Sequence, residues 1–245
     1  MKKFKKVLLP LVFWVLVWGI AAGLVDKALL LPGPLLVLRR LAELAVTADF
    51  WLAALATILR IFFGMGIGVA LGALLAGATH FVPLCDWLLT PLIQVLRATP
   101  VASFILLVLL WVTRSLVPGI ISALMVLPVV WGSVKLGLER TDPQLLELCR
   151  DYRFSRRKTL RLLYLPSVLP HFRSGVETAL GLAWKAGVAA EVIAQPPLAI
   201  GTQVYFSKVY LETPDLFAWT LVVILLSFLV EYGVKQLLRE RGDKG

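Results

Sequence analysis

Charged residues are scarce in this chain of 245 residues: Asp, Glu, Lys and Arg together make up 16% of it, whereas hydrophobic residues make up 59%. Soluble domains contain roughly 25% charged and 45–50% apolar residues. A water-soluble fold of this size could not bury so much apolar surface, and a disordered chain has the opposite composition. We therefore predict an all-α membrane protein that crosses the bilayer several times.

Cysteine and histidine are also rare, with only Cys85, Cys149, His80 and His171. They are too few and too far apart to indicate a disulfide framework or a zinc site. No nucleophile stands beside a base, and the phosphate-binding pattern G-x-x-x-x-G-K-[ST] is absent from the sequence. We therefore expect no catalytic residue, no metal and no cofactor in this chain, which is not an ATPase by that chemistry.

Six apolar segments have the length of about 20 residues that a membrane-spanning helix needs. The first begins like a signal peptide, but Val25-Asp26-Lys27-Ala28 offers no small-x-small cleavage site, so we expect it to be retained. The second is rich in glycine at four-residue spacing, which lets helix backbones approach closely. The third is interrupted by Pro91, Arg97 and Pro100. The predicted spans are residues 7–25, 61–85, 84–113, 115–134, 174–194 and 216–233.

The basic residues predict the orientation of the chain in the membrane. Most Lys and Arg residues lie at the N-terminus, in residues 135–173 and after residue 231. Cytoplasmic loops are enriched in Lys and Arg, so both termini are predicted to be cytoplasmic. The net charge of +10 then needs no nucleic-acid partner.

The same orientation places residues 26–51 outside. There Leu35, Leu38, Leu41, Ala42 and Ala45 recur at helical spacing, which predicts an amphipathic helix on the outer membrane surface. We divide the chain into a first span with this external segment at 1–50, a core at 51–238 and a cytoplasmic tail at 239–245.

The cytoplasmic segment between the fourth and fifth spans predicts two short helices. Asp142-Pro143 is typical of a helix start, and Leu145, Leu148, Cys149 and Tyr152 follow at three- and four-residue spacing. Ser155 is placed to cap a second helix over residues 156–164, which we expect to end before Pro166. One interpretation is that this basic loop only sets topology and contacts anionic headgroups.

A second interpretation rests on a motif. Glu147-Leu148-Cys149, followed by Leu163-x-Leu165-Pro166, resembles the EAA loop of bacterial ABC-importer permeases, whose pattern is E-A-A-x3-G-x9-I-x-L-P. The register is kept without a gap, but Arg153 stands at the position of the glycine. If family members turn on that glycine, we expect this loop to turn differently.

Other stretches extend the resemblance to about residues 50–238. They are Leu59-Arg60 before the glycine-rich span, Leu96-Arg97-Ala98-Thr99-Pro100, and Ala189-Ala190-Glu191 after Trp184. Together they are similar to the nitrate/sulfonate/taurine subgroup of these permeases. The resemblance implies a type I importer-like fold of about six transmembrane helices, with a coupling-helix loop at about 139–170.

The resemblance also implies partners and a function. Two permease subunits would form the pathway in the bacterial inner membrane, each docking its loop on a P-loop ATPase that binds ATP and Mg. An extracytoplasmic binding protein would deliver a small, anionic solute such as a sulfonate, taurine or nitrate. The alternatives are an importer for a vitamin precursor, an ion-coupled secondary carrier, and an intramembrane enzyme, for which no catalytic cluster is present.

Ionisable residues inside the predicted spans are candidates for the pathway, since each costs about 2.5–3.5 kcal/mol to insert. Arg97 precedes Pro100, which predicts a broken helix with a cation that faces a cavity or snorkels to the interface. In the fifth span Glu177, Trp184 and Glu191 lie seven residues apart and share one face.

Lys185 lies to one side of that face and is expected to pair with a carboxylate on a neighbouring helix. We hypothesise that Arg97, Pro100, Trp184 and Glu191 shape or gate the pathway. An internal ion pair that only fixes helix packing is the alternative.

Overall fold

The structure, a computed structural model, describes residues 2–240, and within them the chain is helical without strands. We number the α-helices in chain order and name the single π-helical segment separately. The helices are α1 (Lys2–Val25), α2 (Pro34–Ala45), α3 (Ala48–Phe81), α4 (Pro83–Ala98), α5 (Val101–Leu109), α6 (Val117–Glu139), α7 (Pro143–Asp151), α8 (Arg156–Thr159), the π-helical segment (Leu160–Tyr164), α9 (Leu165–Ala194), α10 (Ile200–Val209) and α11 (Thr213–Glu240).

Four helices in the described residues are long and apolar enough to cross a membrane: Leu8–Val25 of α1, all of α3 and α6, and Thr213–Val234 of α11. Helices α4 and α5 are each too short but together form a fifth candidate, bent by 104° at the break between them. Helix α9 has 30 residues, enough to cross. It is less apolar, since its outer two-thirds carry Glu177, Lys185 and Glu191.

Several helix boundaries differ from the sequence prediction. The second predicted span begins at residue 61, whereas α3 already begins at Ala48 and runs for 34 residues. The division at residue 50 therefore falls inside a helix and is wrong as a boundary. At the other end, α11 continues through residue 240, and the rest of the predicted tail, 241–245, lies outside the described residues.

The core is built on close contact between α3 and α6. A Cβ atom added at Gly64 would lie 1.9 Å from the carbonyl oxygen of Gly119, and one added at Gly68 would lie 2.6 Å from that of Ala123. The four-residue spacing of these glycines therefore brings two backbones into direct contact, as the small-residue pattern predicted.

Helix α9 packs against both α6 and α3 and completes this core. Its residues Ala179, Ala183 and Trp184 join Val130 and Trp131 of α6 in one buried cluster. Small side chains alternate with one large ring, which fills the space between the helices at high density.

Helix α2, predicted to be external, packs against α11. Val37 is its one fully buried residue, while Leu35 and Leu38 stay exposed, so only part of the predicted apolar stripe packs against the protein. Arg40 donates from Nε and Nη2 to the two carboxylate oxygens of Asp215 in α11, at 2.5 and 2.6 Å. This two-point ion pair fixes α2 against the start of α11.

Candidate functional site

Helix α7 has the capped start that the sequence predicts, and it buries none of its residues. The Asp142 carboxylate accepts a hydrogen bond from the Gln144 backbone N–H at 2.8 Å, and Pro143 occupies the first turn. Leu148 is 50% exposed and Tyr152 71% exposed. With Leu145, also exposed, these residues form a stripe along the helix that nothing in the described chain covers. We call Leu145, Leu148 and Tyr152 the apolar stripe.

The turn after α7 is made by Arg153, at the position of the motif glycine. Arg153 has φ 49°, the left-handed conformation that favours glycine. Its N–H bonds to the carbonyl of Arg150, and the N–H of Phe154 bonds to that of Cys149, both at 2.9 Å. These two bonds form a Schellman motif. The expectation that this loop turns differently is therefore wrong: it keeps a glycine-type turn and places an arginine in it.

The second half of the loop corrects another prediction. Ser155 does cap a short helix, accepting a bond from the Lys158 N–H at 3.4 Å. However, the chain does not end its helical path before Pro166. It passes through the π-helical segment, in which the Leu165 N–H bonds to Leu160 five residues back, and continues as α9. The wider π turn accommodates a proline that has no N–H of its own.

The remaining motif residues of this segment divide between core and surface. Leu163 is buried, whereas Leu165 and Pro166 are exposed, as are Glu147 and Arg153 in the first half of the loop. The motif therefore places Leu163 as the anchor of the loop and leaves Glu147 available to a partner.

A basic cavity of about 970 Å³ lies beside α7, between the loop and the C-terminal end of α3. Four arginines line it together with three aromatic rings. They are Arg150, Arg153, Arg156 and Arg157, with Phe81, Phe154 and Tyr164. The loop thus exposes the apolar stripe on one face, and its arginines line the cavity on the other face.

The N-terminal half of α3 and the C-terminal end of α9, which the sequence predicts to lie on the outer side, enclose a buried polar cluster around Glu191, whose side chain is 0% exposed. Its Oε2 accepts hydrogen bonds from the Thr57 hydroxyl at 2.9 Å and from the Gly201 N–H at 3.1 Å. The Arg60 Nη1 lies 3.6 Å from Oε1 and completes an ion pair. A Cβ atom at Gly201 would lie 2.4 Å from the Glu191 Cβ, so glycine is required there. We call Thr57, Arg60, Glu191 and Gly201 the outer cluster.

Arg60 also holds the external segment between α9 and α10. It donates to the carbonyl oxygens of Pro197 at 2.8 Å and Leu198 at 2.9 Å, on a stretch where Gln195 and Leu198 both have positive φ. One guanidinium therefore ties a helix, a buried carboxylate and a bent loop together. Sequence reasoning missed this pair because Arg60 and Glu191 lie 131 positions apart, and no spacing rule connects them.

The four predicted pathway residues are not brought together. Glu191 lies in the outer cluster and pairs with Arg60, not with Arg97. Trp184 is 2% exposed, and its Nε1–H donates to the Val223 carbonyl of α11 at 3.2 Å, so it packs two helices. Arg97 is exposed in the last turn of α4 and has no polar partner among the residues described. The break at Pro100, between α4 and α5, confirms the predicted kink.

The charged residues of α9 also separate. The predicted common face of Glu177, Trp184 and Glu191 is exposed at Glu177 and buried at the other two residues. Lys185 is exposed as well, and residues 2–240 contain no hydrogen-bond or ion-pair partner for it. The predicted carboxylate partner of Lys185 is therefore wrong within the described chain. No group of three potential metal ligands occurs there either.

Comparison with known proteins identifies related sequences. Residues 68–240 match the family model described as binding-protein-dependent transport system inner membrane component. The taurine transport system permease protein of Escherichia coli is 26% identical over 228 residues, 91% of this chain and 82% of the relative. The formylaminopyrimidine transport permease protein of Halalkalibacterium halodurans is 25% identical over 244 residues, 97% of this chain and 96% of the relative.

Solved structures with the same fold come from ABC transporters. A chain of an amino acid ABC transporter superposes with a TM-score of 0.66 at 17% identity, over 84% of this chain and 98% of that one. A chain of an inward-facing methionine ABC transporter superposes with a TM-score of 0.58 at 16% identity, over 78% and 93%. The predicted importer-permease fold is therefore confirmed.

Proposed function

The chain belongs to the family of binding-protein-dependent transport system inner-membrane components, and from this premise we propose how its parts serve import. It is the permease subunit of an ATP-driven ABC importer, not an enzyme, and such a subunit works with an ATPase and a binding protein. The family membership favours this interpretation over a secondary carrier and over an intramembrane enzyme.

We propose that α7 is the coupling helix that enters a cleft on the ATPase. The observation that carries this is the apolar stripe, which stays exposed on a helix with no buried residue. Interfaces are anchored by a few large side chains that become fully desolvated on binding. Glu147, next to the stripe, supplies a charge at the rim. ATP and Mg are held by the partner, whose closure moves the loop.

Purification from native membranes tests this proposal. The tagged protein is expected to bring a P-loop ATPase with it in equal amount, and the double variant Glu147→Ala/Leu148→Ser is expected to lose it. Leu35→Ser is the matched control, because Leu35 is an exposed leucine on a short helix outside the spans. If the double variant retains the ATPase as the control does, α7 is not the docking element.

We further propose a homodimer with two ATPases and both termini in the cytoplasm. In that orientation the basic cavity faces the cytoplasm, as the distribution of Lys and Arg favours, and the outer cluster lies near the external surface. Native mass spectrometry of the purified complex is expected to give two permease and two ATPase chains. A complex with one permease chain, or with two different permeases, would contradict the homodimer.

The solute is proposed to be a small anion such as a sulfonate. The similarity to a taurine permease supports this, and so do the exposed cations Arg97 and Lys185. A neutral vitamin precursor is the second candidate, because the formylaminopyrimidine permease is nearly as similar. Uptake of radiolabelled taurine into proteoliposomes with the cognate ATPase and binding protein, with formylaminopyrimidine as competitor, separates the two.

A further inference from the structure

Lys185 is a charged residue at the middle of a spanning helix that the outer cluster does not neutralise. It lies nine residues before the end of α9 at Ala194 and eleven after Ser174, so about 13 Å and 16 Å of helix separate it from those positions. A lysine side chain cannot snorkel over two turns of helix to reach an interface. Its ammonium must therefore meet water or an anion at this depth.

No carboxylate of its own helix reaches Lys185. Glu177 is eight residues away, about 12 Å along the axis, and Glu191 is turned inward to Arg60. In the part of the chain that the structure describes, Lys185 has no other polar contact. The charge is thus left for a group that is not part of this subunit.

The exposed face of α9 around Lys185 also differs from faces that contact lipid. Ser174, Thr178 and Ala189 accompany Lys185 there, with Leu182 at its edge. By contrast, the exposed side chains of residues 224–229 in α11 are all large and apolar. They are Ile224, Leu225, Phe228 and Leu229. Small and polar side chains suit an aqueous path rather than hydrocarbon.

Neighbouring helices leave this face open. On one side Ile105 of α5 packs with Ala186 and Ala190, and on the other Trp184 bonds to Val223 of α11. The face between them is uncovered in one subunit. A second copy placed against it would enclose a path and bring a second Lys185 to it.

We propose that Lys185 is an anion-contacting residue of the translocation path, where its ammonium group donates hydrogen bonds to the acidic group of the solute, a sulfonate or similar oxyanion. This inference rests on the proposed function and adds the residue that recognises the charge. Ammonium-to-oxyanion hydrogen bonds are among the stronger polar contacts in proteins. Because the Lys185 ammonium has no counter-charge in the empty path, binding of an anion stabilises it strongly.

The first test asks whether the face is aqueous. In a background with Cys85→Ser and Cys149→Ala, Lys185→Cys is labelled with a membrane-impermeant methanethiosulfonate in the complete importer complex. Leu229→Cys, on the exposed apolar face of α11, is the matched control. We expect Lys185→Cys to react and Leu229→Cys not to. Equal protection of both would place Lys185 against lipid or protein and overturn the proposal.

The second test asks whether the charge recognises the solute. In proteoliposomes with the cognate ATPase and binding protein, Lys185→Met is expected to lower taurine uptake at least about tenfold, whereas Lys185→Arg keeps most of it. Lys27→Met, an exposed external lysine, is the control. Uptake by Lys185→Met equal to that of the unchanged protein would overturn the proposal.

The two tests also separate this inference from the proposed function. If the unchanged complex takes up taurine and the Lys185→Met variant takes it up equally well, the proposed import of an anion stands. Lys185 is then not the residue that recognises the solute. If the unchanged complex takes up formylaminopyrimidine and not taurine, the proposal of an anionic solute is wrong, and so is the ligand assigned to Lys185. The labelling result then still decides whether α9 lines the path.

Discussion

The two ends of this permease treat polar and apolar groups in opposite ways. At the predicted outer end, the buried Glu191 carboxylate accepts hydrogen bonds at Oε2 from a hydroxyl and a backbone N–H, while its Oε1 has only the ion pair with a partly exposed guanidinium. At the predicted cytoplasmic end, the apolar stripe of α7 is exposed to solvent. Burying charge is tolerated only when the charge is paired, and exposing apolar surface is tolerated only when a partner covers it. The predicted outer end therefore pairs its buried charge within one subunit, whereas the predicted cytoplasmic end leaves an apolar surface that suits a partner protein.

The strongest test of this contrast removes the carboxylate of the outer cluster. Glu191→Ala is expected to destabilise the protein by about 3–5 kcal/mol, because Arg60 is left without its counter-charge and the Gly201 N–H without its acceptor. The measurement is thermal unfolding of the purified protein in detergent. Glu177→Ala, an exposed acid on the same helix, should change stability little. A stable Glu191→Ala protein that no longer transports would instead indicate a gate.

At the opposite end, Tyr152→Ala should leave the subunit's stability unchanged and weaken binding of the ATPase by about 2 kcal/mol, roughly thirtyfold, as expected for an anchoring aromatic residue. Affinity measured between purified permease and ATPase checks this. Leu35→Ala provides the control for an exposed apolar residue elsewhere. Loss of subunit stability in Tyr152→Ala would mean that the stripe packs within the chain, and the contrast between the two ends would fail.

The ion pair between Arg40 and Asp215 is also predicted to lie at the outer end, and breaking it should cost less stability than removing Glu191. Arg40→Ala is expected to cost about 1 kcal/mol, since Arg40 binds Asp215 at two points but is partly exposed to solvent. Arg39→Ala, which loses only the exposed contact with Glu43, should cost less. Proteolysis of α2 compared between the two variants gives the measurement, and equal sensitivity would contradict the anchoring role of Arg40.

The turn in the coupling loop offers a stabilising change. Arg153→Gly should stabilise the loop by up to about 1 kcal/mol, because glycine adopts the left-handed conformation without the Cβ strain that Arg153 carries at φ 49°. Hydrogen exchange at the Phe154 N–H, whose acceptor is the Cys149 carbonyl, reports this local stability. Arg150→Gly, within α7, is the control and should destabilise. Faster exchange in Arg153→Gly would contradict the strain.

The smallest expected effect is one of pH on α2. The hydrogen bond from Arg40 lowers the pKa of Glu43 below its ordinary value. A carboxyl with a lowered folded-state pKa contributes stability above its ordinary pKa, and this contribution is lost as the pH falls through the folded-state value. Acidification below the ordinary range of glutamate should therefore increase proteolysis of α2 slightly. Glu43→Gln should abolish this pH dependence, and its persistence would exclude Glu43 as the cause.

Much of this protein was predictable because the controlling interactions are local. Amphipathic spacing located α7, Asp142-Pro143 its start, and Pro100 the break between α4 and α5. The glycine repeat indicated a close helix contact, although it could not name α6 as the partner. Pro166 misled the prediction because a proline near a loop usually ends a helix. The five-residue step at Leu160 that accommodates it has no signature in the residue types.

The sequence by itself determined that the chain is a membrane protein and indicated the family to which it belongs, and it located the loop that we propose to be the coupling loop. Composition, helical spacing and motif register can be read directly from the sequence, because none of them depends on which distant residues come into contact. Only the tertiary structure decided that Glu191 pairs with Arg60, that Trp184 packs inward and that Lys185 is left without a counter-charge. Those outcomes depend on which faces of distant helices meet, and that is fixed by the packing of the whole bundle.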